Sequence, residues 1–387
     1  MMNGTKRMMF RTMLTIPCIV VAVFSASFAA EDKAYNIEVV AEGLDHPWGL
    51  ALLPDNELIF TERGGRLRII RNGVLDPKPI AGVPPVQLKK QTGLYDVVAH
   101  PNFSQNKLIY LSFVHKENDV NCIRIVRARL GSDRLLDLEV VFDAGPPTPT
   151  PTQLGGRMTF LADGTLLLST GDAYDYREYA QRLDNHWGKI LRMNDDGTIP
   201  ADNPFVNRDE ARGEIWSYGH RHPQGIAQDP LTKEIYSTEH GAWGGDELNH
   251  IEKGKNYGWP VTSYGRDYNG STITPYTEYP GLEQPVVYWV PSIAPSSVAI
   301  YRGDAFPQWD GDVLVTTLGW DQGRHVRRVD MENGDVVKQE KLFTELNQRL
   351  RHLVINPNGE IYLLAEGTNK VEGAINTDGL IYRITPK

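Results

Sequence analysis

The feature that most constrains this chain is a recurring unit: a polar turn, an apolar strand, a loop and a second, more polar strand. The apolar strands follow Pro54-Asp55-Asn56, Pro101-Asn102-Phe103, Ala162-Asp163-Gly164, Asp229-Pro230, Trp309-Asp310-Gly311 and Asn356-Pro357-Asn358-Gly359. They read ELIFTE, LIYLSF, TLLLST, EIYSTE, DVLVTT and EIYLLA. More polar strands follow several of them: GRLRII (65–70), IRIVRARL (123–130), GKILRM (188–193), HVRRVD (325–330) and GLIYRI (379–384). Each run is β-branched and aromatic and is bounded by turn residues, which is the signature of a strand. The spacing averages about 60 residues, longer than the ~40–50 of compact blade repeats. Six such units predict an all-β fold, a six-bladed β-propeller with long inter-strand loops. The early strand NIEVVAEG (36–43) has no unit of its own. It is expected to join the sheet of C-terminal strands and close the ring, because an open sheet leaves an unpaired edge. A β-sandwich of about ten strands is the alternative architecture. No segment from 31 onward has a long 3.6-residue apolar period, so helices should be few and 31–387 reads as one domain.

The first 30 residues read differently. Lys6, Arg7 and Arg11 precede an apolar stretch that closes with Ser25-Ala26-Ser27-Phe28-Ala29-Ala30, followed by Glu31 and Asp32. A basic start, an apolar middle and a small-residue end describe a signal peptide over 1–30; an uncleaved anchor is the alternative. Cys18 is too early for a lipoprotein signal. Its removal with the leader leaves Cys122 alone, so no internal disulfide is expected. The expected location is periplasmic or secreted, with no stable membrane insertion after cleavage.

Charge and composition exclude several function classes. The chain has 49 acidic and 40 basic side chains, for a formal charge of -9, and no Lys/Arg-rich block, which argues against nucleic acid as a partner. Hydrophobic residues at 41% and charged residues at 23% exclude a disordered chain and a polytopic membrane protein.

A propeller gathers its active groups at one face, so the ends of the apolar strands are the places to search. Asp172 follows such a strand in Ser169-Thr170-Gly171-Asp172; turn capping is its bland reading. Trp216-Ser217-Tyr218-Gly219-His220-Arg221-His222-Pro223-Gln224-Gly225 places two histidines around an arginine. On an extended strand, His220 and His222 would share one side and Arg221 would take the other, giving an anion or metal site, or simply a polar turn. Glu239-His240-Gly241-Ala242-Trp243-Gly244-Gly245-Asp246-Glu247-Leu248-Asn249 combines acids with flexible backbone, which suits calcium, although the EF-hand loop is absent. Arg349 and Arg351, spaced i, i+2, aim two guanidiniums the same way. This suggests a polycarboxylate or phosphate ligand, or else a solvated strand edge. Tyr288 and Trp289 are either a sugar-stacking wall or core.

These stretches resemble the soluble quinoprotein glucose dehydrogenases, and more closely the PQQ-dependent aldose sugar dehydrogenases of the glucose/sorbosone dehydrogenase family. The likeness covers nearly all of 37–385. It is carried by HPWGLALLPDNELIFTERGGRLR, QTGLYDVVAHPNF, GGRMTFLADGTLLLSTGD, EIWSYGHRHPQGIA, EHGAWGGDELNHIEKGKNYGWP, PSIAPSS and RLRHLVINPNGEIYLL. The resemblance implies a six-bladed propeller with PQQ at the channel mouth and calcium polarising its quinone. It implies that Gln91 contacts PQQ and that Arg221, Arg349 and Arg351 clamp the cofactor's acids. The carbonyls of Gly241 and Ala242 would bind the cofactor calcium, and Glu247 with the Tyr257 carbonyl would bind a structural calcium. Asp172 would orient a proton-accepting His.

This chain departs from that pattern at four positions. The family's base His falls at Gln153, in Pro147-Thr148-Pro149-Thr150-Pro151-Thr152-Gln153, and no His lies between His115 and His186. His222 replaces an Asn, Gly319 a Lys and Ala242 a Pro. The leading expectation is a secreted PQQ- and calcium-dependent oxidoreductase acting on an aldose sugar or related alcohol and passing electrons to an external acceptor, with His222 as a substitute base. One alternative is a non-redox ligand-binding propeller that has lost the catalytic His. The other is a metal-assisted hydrolase or lyase using His220, His222, His240 and Asp172.

Overall fold

The runs that read most strongly as strands are buried along their whole length. Leu58–Glu62, Leu166–Thr170, Ile235–Glu239, Val313–Thr317 and Ile361–Ala365 have no exposed position. A strand covered on both faces needs no polar alternation, which is why these segments appear as continuous apolar runs. The computed structural model describes residues 1, 34–319, 322–332, 334–367 and 377–387. The leader expected over 1–30 lies outside the described residues apart from Met1.

Tyr35–Lys387 build six four-stranded antiparallel sheets. Strand β1 (Tyr35–Leu44) precedes the first blade. Blade 1 holds β2 (Pro47–Leu52), β3 (Leu58–Glu62), β4 (Arg66–Arg71) and β5 (Val74–Leu75). Blade 2 holds β6 (Leu94–Ala99), β7 (Leu108–Glu117), β8 (Val120–Leu130) and β9 (Leu135–Asp143). Blade 3 holds β10 (Gly155–Phe160), β11 (Leu166–Thr170), β12 (Lys189–Met193) and β13 (Ile215–Tyr218). Blade 4 holds β14 (Pro223–Gln228), β15 (Ile235–Glu239), β16 (Asp246–His250) and β17 (Val287–Trp289). Blade 5 holds β18 (Pro295–Ile300), β19 (Val313–Thr317), β20 (Val326–Glu332) and β21 (Asp335–Leu342). Blade 6 holds β22 (Leu350–Ile355), β23 (Ile361–Ala365) and β24 (Gly379–Pro386), completed by β1.

The first strand of each blade packs against the first strand of the next, and β22 packs against β2, so the ring closes. Strand β1 pairs antiparallel with β24 from Tyr35↔Pro386 to Leu44↔Gly379, as the sequence leads one to expect. Apolar side chains fill the spaces between blades; Trp48, Tyr95, Tyr110, Leu168 and Trp187 belong to one such core. Helix is confined to one four-residue α turn and four 3₁₀ turns among the described residues, and none is long and apolar enough to cross a membrane.

One expectation is corrected. The apolar runs are the second strands of their blades, and the more polar runs are the third. The true first strands, such as Gly155–Phe160 and Pro223–Gln228, mix glycine, proline and polar residues because they face the channel, so their pattern is not that of a core strand.

Candidate active site at the channel mouth

All six innermost strands shift register near their start: between Pro47 and Leu50, Leu94 and Val97, Gly155 and Met158, Pro223 and Gly225, Pro295 and Val298, and Leu350 and His352. A bulge re-aims the side chains it carries. Trp48, Tyr95, Gln224 and Arg351 sit in these bulges and line a cavity of about 610 Å³. The second strands run the opposite way and end at the same face. Arg63, His240, Leu318 and Glu366 therefore arrive at the same cavity from the residues just past β3, β15, β19 and β23.

Beneath the cavity, the Arg157 side chain is only 2% exposed. It donates through Nη1 to Asp96 Oδ1 at 3.0 Å and through Nε to the Gln224 carbonyl at 3.0 Å. Its guanidinium lies 4.0 Å from the Trp48 ring, a cation–π contact that holds the indole in place as part of the cavity lining.

The sequence places Arg349 and Arg351 together, and the structure does the same. Both grip one carboxylate, Glu366, with Arg351 Nε at 2.7 Å from Oε2 and Arg349 Nε bonded to Oε1. Burial alone would raise the Glu366 carboxyl, but Arg351 and Arg349 hold it down to about 2. Burial pulls the Arg351 guanidinium down to about 10, partly offset by Glu366. Arg351 Nη1 also donates to Gln224 Oε1 at 3.2 Å. That leaves the Gln224 amide N–H to donate to His222 Nε2 at 2.9 Å. His222 is therefore a neutral imidazole whose Nε2 lone pair is taken. Burial, together with His240, Arg221 and Arg351, keeps its pKa well below the ordinary histidine value. A ring so placed is poorly suited to accept a proton.

Arg221 does not join the other two arginines. Its Nη1 donates to the His240 carbonyl at 2.9 Å and to the Gly241 carbonyl, the oxygen expected to bind calcium. It lines a neighbouring cleft of about 20 Å³ with Gln153, Asp172 and Trp259; Ala242 and Tyr268 border both spaces. Gln153 sits with φ +54°. With its amide oxygen turned to Arg221, it donates to Asp172 Oδ1 at 2.8 Å and accepts from Arg221 Nη2 at 2.9 Å, the orientation that satisfies both neighbours. Its backbone N–H donates to Gln91 Oε1 at 2.9 Å. Asp172 Oδ1 also accepts from Tyr174 N at 2.8 Å, and Oδ2 accepts from Trp259 Nε1 at 2.9 Å. Burial pushes the Asp172 carboxyl up to about 6, against the pull of Arg221.

Gly241 is pinned by Asp246. Its Oδ1 accepts from Gly241 N at 2.9 Å, and its Oδ2 accepts from Ser292 Oγ at 2.6 Å and from the Ile293 and Ala294 amides at 2.8 Å. Glu247 lies outside the cavity, opposite Glu239 in the β15–β16 register. Burial and then Glu239 raise its pKa. Asn249 Nδ2 donates to both carboxylates at 3.0 Å, while Asn249 Oδ1 is buried without a partner among the described residues. Tyr257 is buried with its ring stacked 4.6 Å from His220.

The expected side-by-side placing of His220 and His222 is corrected. The strand stops at Tyr218 and Gly219 turns with φ +78°, so residues 219–222 are not extended strand. His220 is fully buried between Ser217 Oγ at 2.9 Å and Glu239 Oε1 at 3.0 Å. It has no nitrogen left for the metal set drawn from His220, His222, His240 and Asp172, and among the described residues no group of three or more His, Cys, Asp and Glu gathers as a metal site. At Gly319 (φ +69°), a Cβ would lie 2.1 Å from Arg324 Cγ, so the side chain of Arg324 fills the space where the family has Lys. Trp289 is core, whereas Tyr288 is exposed and stacked on Tyr264 at 3.7 Å. The aromatics at the mouth are instead Trp243 and Tyr268, each 53% exposed.

Sequence reasoning missed Arg63, Gln224, Asp246 and Glu366 as lining residues. A signal for Glu366 existed. Glu62, Asp172, Glu239 and Glu366 all lie at or just past the end of a second strand, a repeat of acids in step with the blades.

The sequence profile of the Glucose / Sorbosone dehydrogenase family matches residues 44–375. The aldose sugar dehydrogenase YliI of Escherichia coli (strain K12) is 40% identical over 349 residues, spanning 88% of this chain and 93% of that one. The crystal structure of the soluble aldose sugar dehydrogenase of Escherichia coli in its apo-form aligns with TM-score 0.84 at 37% identity, covering 91% of this chain and 100% of that one. The PQQ-bound aldose sugar dehydrogenase of Streptomyces coelicolor aligns with TM-score 0.74 at 26% identity, covering 91% of this chain and 98% of that one.

Proposed function

Because this chain belongs to the Glucose / Sorbosone dehydrogenase family, we propose that it is a periplasmic or secreted quinoprotein that oxidises an aldose sugar or related alcohol with PQQ and calcium, and passes the electrons to an external acceptor. The observation that carries this reading is the pair Arg349 and Arg351 sharing the single carboxylate Glu366 inside a 610 Å³ cavity. A buried and a half-buried guanidinium with one counter-charge between them suit a polycarboxylate ligand. The volume is in the range of cofactor sites, roughly 300–1,000 Å³. Trp48 and Tyr95 give flat apolar walls, and Gln91 presents its amide at the cavity edge.

When bound, PQQ supplies the two-electron acceptor for the substrate's hydride. The remaining tasks fall to the chain itself. Arg349 and Arg351 hold the acids. The exposed rings of Trp243 and Tyr268 offer faces on which a sugar can stack at the mouth. Glutamine does not accept a proton near neutral pH, so Gln153 acts by orientation: its amide fixes the carboxylate of Asp172. Asp172 is the group able to hold the substrate's proton, at Oδ2, whose one partner among the described residues is Trp259 Nε1. The adjoining cleft of about 20 Å³ has room for one bridging water.

The calcium sites differ in fit. At Gly241, calcium must displace the guanidinium of Arg221 from the carbonyl. At Glu247, the two carboxylates face each other and share Asn249 Nδ2, so a cation there needs the Asn249 amide to turn and present its Oδ1, which has no partner among the described residues.

The test is reconstitution. Apoprotein loaded with calcium and PQQ should show quinone absorption and dye-linked oxidation of aldoses, and the secreted form should begin near Glu31. Absence of quinone binding would overturn the reading.

A further inference from the structure

Arg63 lies inside the stretch HPWGLALLPDNELIFTERGGRLR, but nothing in the sequence gives it a role. Its amide donates to the His46 carbonyl at 3.0 Å and its carbonyl accepts from Leu94 N at 2.9 Å, which fixes the backbone just past β3 at the cavity wall. Its guanidinium has no ion pair and no hydrogen bond among the described residues, and its Nε is shielded from water as well. Gly93 makes room for it: a Cβ there would lie 2.4 Å from the Arg63 carbonyl oxygen and 2.6 Å from its Cγ. The other arginines at this face are committed, Arg349 and Arg351 to Glu366 and Arg221 to the carbonyls of His240 and Gly241. Strands β2 and β22 are in contact, so blades 1 and 6 are neighbours, and Arg63 and the Arg349–Arg351 pair face one sector of the mouth. A partly buried cation with an unsatisfied N–H is costly, and an arriving anion removes that cost.

We propose that Arg63 is the third cation of the clamp and binds a carboxylate of the cofactor, the role that the family resemblance implies for Arg221. This inference rests on the quinoprotein reading. It predicts that cofactor charge is read by blades 1 and 6 together, while Arg221 serves the Gln153–Asp172 cleft.

The experiment is an equilibrium titration of calcium-loaded apoprotein with PQQ, read by quenching of tryptophan fluorescence, for wild type, Arg63→Gln, Arg63→Lys and Arg351→Ala. Arg63→Gln should weaken PQQ binding about 10- to 100-fold, the loss expected for a charge-assisted hydrogen bond, with Arg63→Lys in between. Esterified PQQ supplies a second readout: wild type should lose more affinity on esterification than Arg63→Gln does. If Arg63→Gln destabilises the fold, Arg63→Lys with the ester comparison decides the matter. Wild-type affinity in Arg63→Gln, alongside a loss in Arg351→Ala, would overturn the assignment of Arg63 and leave the quinoprotein reading standing. Failure of wild type to bind PQQ would overturn both.

Discussion

At the scale of single residues, the proposed reaction turns on Gln153. Its amide is satisfied on both sides, by Asp172 and Arg221, so it is a well-fitted orienting group with no basic lone pair. Asp172, raised by burial to about 6, must be ionised to receive a proton. Turnover of the reconstituted protein should therefore rise with pH through about 6 and level off above it, since the carboxylate form is the active one. Gln153→His places an imidazole beside that carboxylate and should raise kcat by about 10²- to 10⁴-fold, the usual worth of a positioned general base. The check is kcat against pH for both proteins. A variant no faster than wild type would mean that position 153 is not where the substrate's proton leaves. Asp172, Arg349 and Arg351 were legible in the sequence because each adjoins a run with plain strand character. Arg63 and Glu366 obey the same geometry, one residue past β3 and β23, yet a single charged residue after a strand resembles any turn. Which of those charges lacks a partner is decided by the neighbouring blade, and no local pattern encodes that.

Among the elements, β1 carries the closure of the ring. It is distant in sequence from β24 yet pairs with it along most of its length. Without it, β24 would present an open edge. Leu44 is fully buried at the end of β1, in a core shared with Leu50, Leu58, Leu364 and Ile381 from blades 1 and 6. Leu44→Ala should cost about 2–5 kcal/mol. The loss should be felt first at the seam, so hydrogen exchange should quicken at the β24 amides while those of β11 and β15 change little. Uniform quickening across all blades would mean that the seam is no weaker than the rest. The closing strand was readable because it was left over once six units had been counted. The phase of the blades was not, because second strands are apolar on both faces whereas channel-lining first strands carry Gly155, Gly156, Gln224, Ser296 and Ser297. Hydrophobicity therefore picked out the wrong member as the start of each unit. The bulges that turn Trp48 and Arg351 toward the cavity leave no mark in hydropathy at all.

For the molecule as a whole, the question is what balances the acid buried in blade 4. Glu239 is compensated by His220, by the Arg221 amide at 2.6 Å and by Asn249. Glu247, opposite it, receives only Asn249 Nδ2 among the described residues, and burial with Glu239 raises its carboxyl. Once the Asn249 amide turns its Oδ1 toward them, the two facing carboxylates make a site of hard oxygens of the kind that calcium accepts. A ligand that binds only the folded state stabilises it by about 2.7 kcal/mol at a hundredfold excess over Kd, a shift of several degrees in Tm for a domain of this kind. Because the ring is closed, that gain should be shared by the whole propeller, so a single melting transition should move up in calcium and down in chelator. Glu247→Gln removes the titratable acid along with one ligand. It should melt at the same temperature in calcium and in chelator, and above the chelated wild type, since an acid pushed up to about 8 no longer has to be held protonated in the folded state at neutral pH. The measurement is Tm of both proteins with calcium and after its removal. A wild-type Tm indifferent to calcium would mean that Glu247 keeps a proton in place of a metal.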